Sequence, residues 1–140
     1  MTVDSFLDTN VLVYAAAGRG EEERKRCRAL ELIERESFGL SAQVLQEFYV
    51  TVTRKVKLPM SHAAATDWIE QLESFPCLPI DAAVVKLAIE ASLRHGLSYW
   101  DGAILASAEA LGAQTLYSED LVHGRLYGSV RVCNPFRDCG

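Results

Sequence analysis

The hydrophobic and polar positions of this chain alternate between two kinds of segment. Short, nearly continuous apolar runs read as buried strands. Longer stretches with apolar residues three and four apart read as helices. A first strand is predicted over 2–7, ending on Phe6 and Leu7, and a helix over 9–17 follows at once, broken by Gly18-Arg19-Gly20. A second helix over 21–36 has an apolar stripe of Cys27, Leu30 and Ile33, with Ala29 and Leu32 beside it. Its opening residues Glu21, Glu22 and Glu23 suit the positive end of the helix dipole. A short strand over 38–41 ends on Ser41, which can cap a helix over 42–55. That helix buries Val44, Leu45, Phe48, Val52 and Val56 and places Gln43, Glu47 and Arg54 on its other face.

Ser61 caps a helix over 62–73 with Trp68, Ile69 and Leu72 as its apolar positions, and Pro76 and Pro79 bracket the extended pair Cys77-Leu78. Asp81 caps a helix that runs to Arg94, with Val84, Val85, Leu87, Ala88 and Ala91 facing inward and His95-Gly96 ending it. Asp101 opens an Ala-rich helix that closes at Leu111-Gly112. A strand over 114–117 and a last one within 127–132 complete the chain, and Asn134-Pro135 stops it. Strand alternating with helix predicts an α/β fold: one domain over 1–134, a tail over 135–140, and a central parallel sheet of about four to five strands with helices on both faces.

Length and composition agree with this picture. The 140 residues suffice for one domain with a real core, and 49% apolar residues argue against disorder. No apolar run approaches the length of about 20 residues that spans a bilayer. The N-terminus has no basic segment ahead of an apolar one, so neither a signal peptide nor a membrane partner is expected, and the expected setting is cytoplasmic. Cys27, Cys77, Cys133 and Cys139 are scattered without zinc-ligand spacing and read as reduced thiols, with a Cys133–Cys139 pair as the lesser alternative. The net charge of −5 does not suit a simple phosphate-binding surface.

The chemistry lies in the acids. Asp8 and Asp120 fall at strand carboxyl ends, and Glu47 and Asp101 fall near helix N-termini. In a parallel α/β sheet these positions share one edge, where ligand crevices form. Each acid has a plainer role when taken singly: Asp8 and Asp101 as helix caps, Glu47 as an exposed helix acid, Asp120 as a turn residue. Together they are carboxylates that repel one another unless a cation joins them. All-oxygen ligation selects hard ions such as Mg²⁺ or Mn²⁺, and phosphodiester hydrolysis is the reaction that follows most naturally. Asn10 and Ser118 are placed to hydrogen-bond the acids or the metal water, or to make local caps. Glu119 is expected to point away from Asp120. His62, His95 and His123 have no partner spacing, and no Gly-rich phosphate loop is present.

Four stretches in order carry a family resemblance: Phe6-Leu7-Asp8-Thr9-Asn10-Val11-Leu12, Gln43-x-x-Gln46-Glu47-Phe48, Tyr99-Trp100-Asp101-Gly102-Ala103-Ile104, and Tyr117-Ser118-Glu119-Asp120-Leu121. With them the chain resembles PIN-domain ribonucleases of the VapC toxin type. The resemblance implies an Mg²⁺- or Mn²⁺-dependent endoribonuclease, a homodimer held inactive by a cognate antitoxin. It implies Asp8, Glu47 and Asp101 as the core catalytic and metal-binding acids, with Asp120 as the fourth. Gly102 stands where alanine is common in the family. Three alternatives stay open at this point. They are a solitary RNA-processing nuclease of the same fold, a catalytically weak module that binds RNA or protein, and an Mg²⁺-binding receiver-like signalling domain. The last would want a late lysine, and the last lysine here is Lys86. Trp68 and Phe75 read either as dimer interface or as core.

Overall fold

The computed structural model describes residues 2–137. The strands are β1 (Ser5–Leu7), β2 (Phe38–Ser41), β3 (Cys77–Leu78), β4 (Thr115–Tyr117), β5 (Leu126–Tyr127) and β6 (Val130–Cys133). The helices are α1 (Thr9–Ala17), α2 (Glu23–Arg35), α3 (Ala42–Val50), α4 (His62–Leu72), α5 (Ala82–His95) and α6 (Tyr99–Ala110). The strands form one six-stranded sheet in the order β3-β2-β1-β4-β6-β5, so the expected four or five strands are exceeded. All neighbours are parallel except β5 and β6, which pair antiparallel at one edge. Val3, Phe6, Leu7, Phe38, Leu40, Leu116, Val130 and Val132 carry the sheet's share of the core. Among the described residues no helix is long and apolar enough to cross a membrane.

The strand order positions the site. From β1 the chain winds outward to β2 and β3, then returns to the other side of β1 with β4. The topological switch point therefore lies between β1 and β4, where parallel sheets open a crevice at their carboxyl ends. Asp8 follows β1, the turn 118–120 follows β4, and β2 ends on Ser41, the N-cap of α3, whose Oγ accepts from the Val44 N–H at 3.3 Å.

Several local expectations need correction. The helix predicted over 42–55 is α-helical only to Val50 and then widens into a π turn over Thr51–Lys55. The β-branched run Thr51-Val52-Thr53 crowds its own backbone, and Thr53 Oγ1 bonds back to the Tyr49 carbonyl at 2.7 Å. Gln43, expected on the polar face, is only 6% exposed. Asp101 does not cap its helix. Ser98 is the N-cap, accepting from the Asp101 N–H at 3.1 Å, which leaves the Asp101 carboxylate free of the capping task. Of the inward face expected on α5, Ala88 is buried and Val84, Val85 and Ala91 are partly covered, whereas Leu87 stays exposed; Ile89 and Leu93 are exposed as well, Leu93 at 79%. Helix α5 rests chiefly on α6.

Trp68 and Phe75 turn inward, Phe75 stacking on Phe38 at 4.3 Å and Trp68 tilting against Phe48 at 6.2 Å between ring centroids. Beyond β6, Phe136 is buried and meets Tyr14 edge-on at 5.0 Å. Cys27 and Cys77 are free thiols, and Cys139 lies outside the described residues, as does any pairing of Cys133 with it.

Candidate active site

Asp8 is the most enclosed of the four acids, at 5% exposure. It follows β1, where its N–H donates to the Tyr117 carbonyl of β4 at 3.0 Å, and is the N-cap of α1, so its backbone serves sheet and helix at once. Its Oδ1 accepts from the Thr9 N–H and its Oδ2 from the Ser118 hydroxyl, both at 2.8 Å. The second bond spans the switch point between β1 and β4. Burial pushes the Asp8 carboxyl up to about 6, helped by the charges of Asp120 and Glu47 and opposed by its two hydrogen bonds.

The other acids are held by neutral donors. The Thr9 hydroxyl donates to Glu47 Oε1 at 2.6 Å and Gln43 Nε2 to Glu47 Oε2 at 3.3 Å. Gln43 also donates to the Trp100 carbonyl at 3.3 Å, joining α3 to the first turn of α6 beside Asp101. Asn10 Nδ2 donates to Asp120 Oδ2 at 3.0 Å, and the Asp120 N–H donates to Ser118 Oγ at 3.1 Å. Asp101 is pushed above the usual carboxylate range by burial first and by Asp120 and Glu47 as well, against its Ser98 bond. The structure thus brings Asp8, Glu47, Asp101 and Asp120 within electrostatic reach of one another, and sets Asn10 and Ser118 on two of them.

Thr9 and Asn10 have a different division of labour from simple capping. Only the Thr9 amide serves Asp8; the Thr9 hydroxyl and the Asn10 amide orient Glu47 and Asp120. Gln43 escaped sequence reasoning as a site residue, although it stands one helical turn before Glu47 on the same face. Glu119 is drawn away by Lys25 and by the Tyr14 hydroxyl, which donates to its Oε1 at 2.7 Å. The remaining ion pairs of the described residues tie Arg26 to Glu23, Arg28 to Glu31 and Arg94 to Glu90. None of these cations serves the four acids. The histidines are elsewhere: His62 meets the Tyr49 hydroxyl, His95 packs on Tyr127, and His123 accepts from the Asn134 N–H.

The donor set suits a hard divalent cation, being all carboxylate oxygen that no ammonium or guanidinium joins in the ion pairs of the described residues. Among the described residues no three of these groups stand as a ready-made chelate, because each carboxylate is oriented by its own neutral neighbour. Those neighbours position charge without cancelling it. Glu47 and Asp120 line a cleft of about 1230 Å³ whose walls also include Thr9, Asn10, Gln43 and Trp100.

Ser118 holds Asp8 on one side and receives the Asp120 amide on the other. Ser118→Ala is expected to lower stability by about 1–2 kcal/mol, since it strands a buried carboxylate oxygen. It is also expected to move the Asp8 carboxyl above its value of about 6, because the lost bond favours the charged form. Thermal unfolding and carboxyl-detected NMR titration of the variant check both.

Comparison with known proteins follows from this geometry. The family model described as PIN domain matches residues 5–128. No curated protein sequence matches the chain. Among solved structures, the VapC20 toxin of Mycobacterium tuberculosis, described as cleaving the sarcin-ricin loop, superposes with a TM-score of 0.67 at 21% identity. The match covers 84% of this chain and 90% of that one. A toxin–antitoxin complex from Klebsiella pneumoniae gives a TM-score of 0.70 at 17% identity, covering 94% and 98%. DNA-bound VapBC from Salmonella typhimurium gives 0.62 at 17%, covering 94% and 97%. These similarities establish a shared fold and set aside the receiver-like alternative. With its family match running from β1 past β5 and its acids gathered at the switch point, the chain belongs to the PIN-domain family.

Proposed function

We propose that this PIN domain is an Mg²⁺- or Mn²⁺-dependent endoribonuclease, the toxin of a type II toxin–antitoxin pair. The observation that carries the reading is the burial of Asp8 among further carboxylates that none of the ion pairs of the described residues neutralises, a costly arrangement that a bound divalent ion relieves. Asp8, Asp101, Glu47 and Asp120 would hold that ion. Such an ion supplies, when bound, a Lewis acid that lowers the pKa of the attacking water and offsets charge on the phosphodiester oxygen.

The chain's own groups do the positioning. Ser118 and the Thr9 amide fix both oxygens of Asp8. Thr9 and Gln43 fix Glu47 on the cleft wall, where its carboxylate is placed to accept a proton from water. Asn10 steadies Asp120 against the opposite wall. An antitoxin partner is supported by the likeness of the fold to chains solved as toxin–antitoxin complexes. For the expected homodimer, α5 offers the exposed apolar pair Ile89 and Leu93 on one helical face.

The test is cleavage of total cellular RNA by the purified chain. With Mg²⁺ or Mn²⁺ added, discrete fragments are expected; in excess EDTA, none. Equal cleavage under both conditions overturns the reading.

A further inference from the structure

Glu47 and Asp120 occupy only part of the cleft, and its remaining walls have a chemistry of their own. Lys55 and Lys57 line it as well. Both are exposed, and the ion pairs of the described residues use Lys25, Arg26, Arg28 and Arg94 instead. Arg19 lines the cleft too, but Glu21 and Glu22 stand beside it on the same wall and offset it. The two lysines therefore make a local positive pole on a chain whose net charge is −5. Lys55 ends the π extension of α3 and Lys57 follows two residues later, so Lys55 lies at most about 12 Å beyond Glu47 at about 1.5 Å per residue.

Trp100 supplies the second observation. It is 63% exposed, although an indole gains much by burial. It lines the same cleft and immediately precedes Asp101. Its position is fixed from two sides: its carbonyl accepts from Gln43, and its ring meets Tyr99 edge-on at 4.9 Å and 85°. A rigidly seated, exposed indole beside the acids and two unpaired lysines along the groove match a strand that carries flat bases and regularly spaced phosphates.

We propose that this cleft is a single-stranded RNA track, in which Trp100 stacks on an unpaired base next to the acids and Lys55 and Lys57 hold the phosphates beyond it. The assignment rests on the ribonuclease reading above. An apolar peptide would also fit the Val13, Ala17 and Val50 wall, but it makes no use of the lysine pole.

The experiment is equilibrium binding of a fluorescein-labelled, unstructured, randomised oligoribonucleotide to the full chain carrying Asp8→Asn, with cleavage by the unsubstituted chain measured alongside. Trp100→Leu is expected to weaken binding on the order of ten-fold, and Trp100→Phe to recover most of it, since stacking needs an aromatic face. Lys55→Gln with Lys57→Gln is expected to flatten the slope of log Kd against log salt by about 1.4, at about 0.7 per phosphate on a single strand. All three positions are on the surface, and unchanged melting temperatures verify folding. If the unsubstituted chain cuts RNA while these variants bind with unaltered Kd and slope, the track is wrong and the cleft belongs to a protein partner. If Trp100→Leu binds as well as Trp100→Phe, the stacking role is wrong. If the unsubstituted chain cuts no RNA, the ribonuclease reading itself has failed.

Discussion

Asp8→Asn is expected to make the metal-free protein more stable at neutral pH while removing its activity. The buried Asp8 carboxyl titrates at about 6, against about 3.9 in an unfolded chain. Between those values the folded protein holds a proton that the unfolded chain has released. Stability of the metal-free protein therefore falls as pH rises from about 4 to about 6, and the full penalty, about 3 kcal/mol, persists above that window. Asparagine carries no charge to desolvate. Its carbonyl can still accept from the Thr9 N–H, but its amide faces a Ser118 oxygen that already receives the Asp120 N–H. That compromise leaves a net gain of about 1–2 kcal/mol. Melting curves in chelator from pH 4 to 8 check the sign: the variant's advantage must open between pH 4 and 6 and stay constant above. A constant difference across the whole range would contradict it. Cleavage by the variant is expected to drop by at least about 100-fold, since even residues behind a metal ligand cost up to that much.

Gly102→Ala has the second large effect, and two terms of opposite sign compete in it. Replacing a helical glycine by alanine ordinarily gains about 1 kcal/mol. Here an added Cβ would lie 2.8 Å from the Ala88 carbonyl oxygen and 2.8 Å from the Ser92 backbone nitrogen. Those atoms belong to the backbone of α5, which cannot rotate aside as a side chain would. Overpacking of this kind costs about 1–3 kcal/mol, occasionally more, so the clash wins and α5 is pushed off α6. Helix α5 has little else to rest on. A fall in melting temperature of roughly 3–8 °C is expected. Because Asp101 is the preceding residue, activity should fall further than stability does. A variant as stable and active as the parent would show that the helix pair is not set by this glycine. Resembling proteins with alanine at this position need a wider helix pair.

That Asp8, Glu47, Asp101 and Asp120 fall at one edge of the sheet was legible in the sequence because it follows from topology. Once strand and helix alternate in a parallel sheet, strand ends and helix starts share an edge, whichever residues fill the core. The fine structure at that edge was not legible. Ser98 and Asp101 both suit a cap, and only the actual start of α6 decides between them. Gln43 reads as polar surface until α6 is known to cross beside it. Strands of two residues, such as β3 and β5, are too short to show any period, so the antiparallel edge was invisible. The π turn after Val50 depends on side chains crowding their own helix, which apolar spacing does not report. The burial of Phe136 depends on a contact with Tyr14, far away along the chain.

Calorimetric titration of Mn²⁺ into the metal-free chain at neutral pH tests the central claim most directly, because it asks whether the gathered carboxylates are a cation site. The unsubstituted protein is expected to bind at neutral pH, where Asp8 is mostly ionised, and to release protons on binding when the titration is repeated near pH 6. Asp8→Asn is expected to bind at least about ten-fold more weakly. Equal binding by the two proteins, or none by either, would contradict the account.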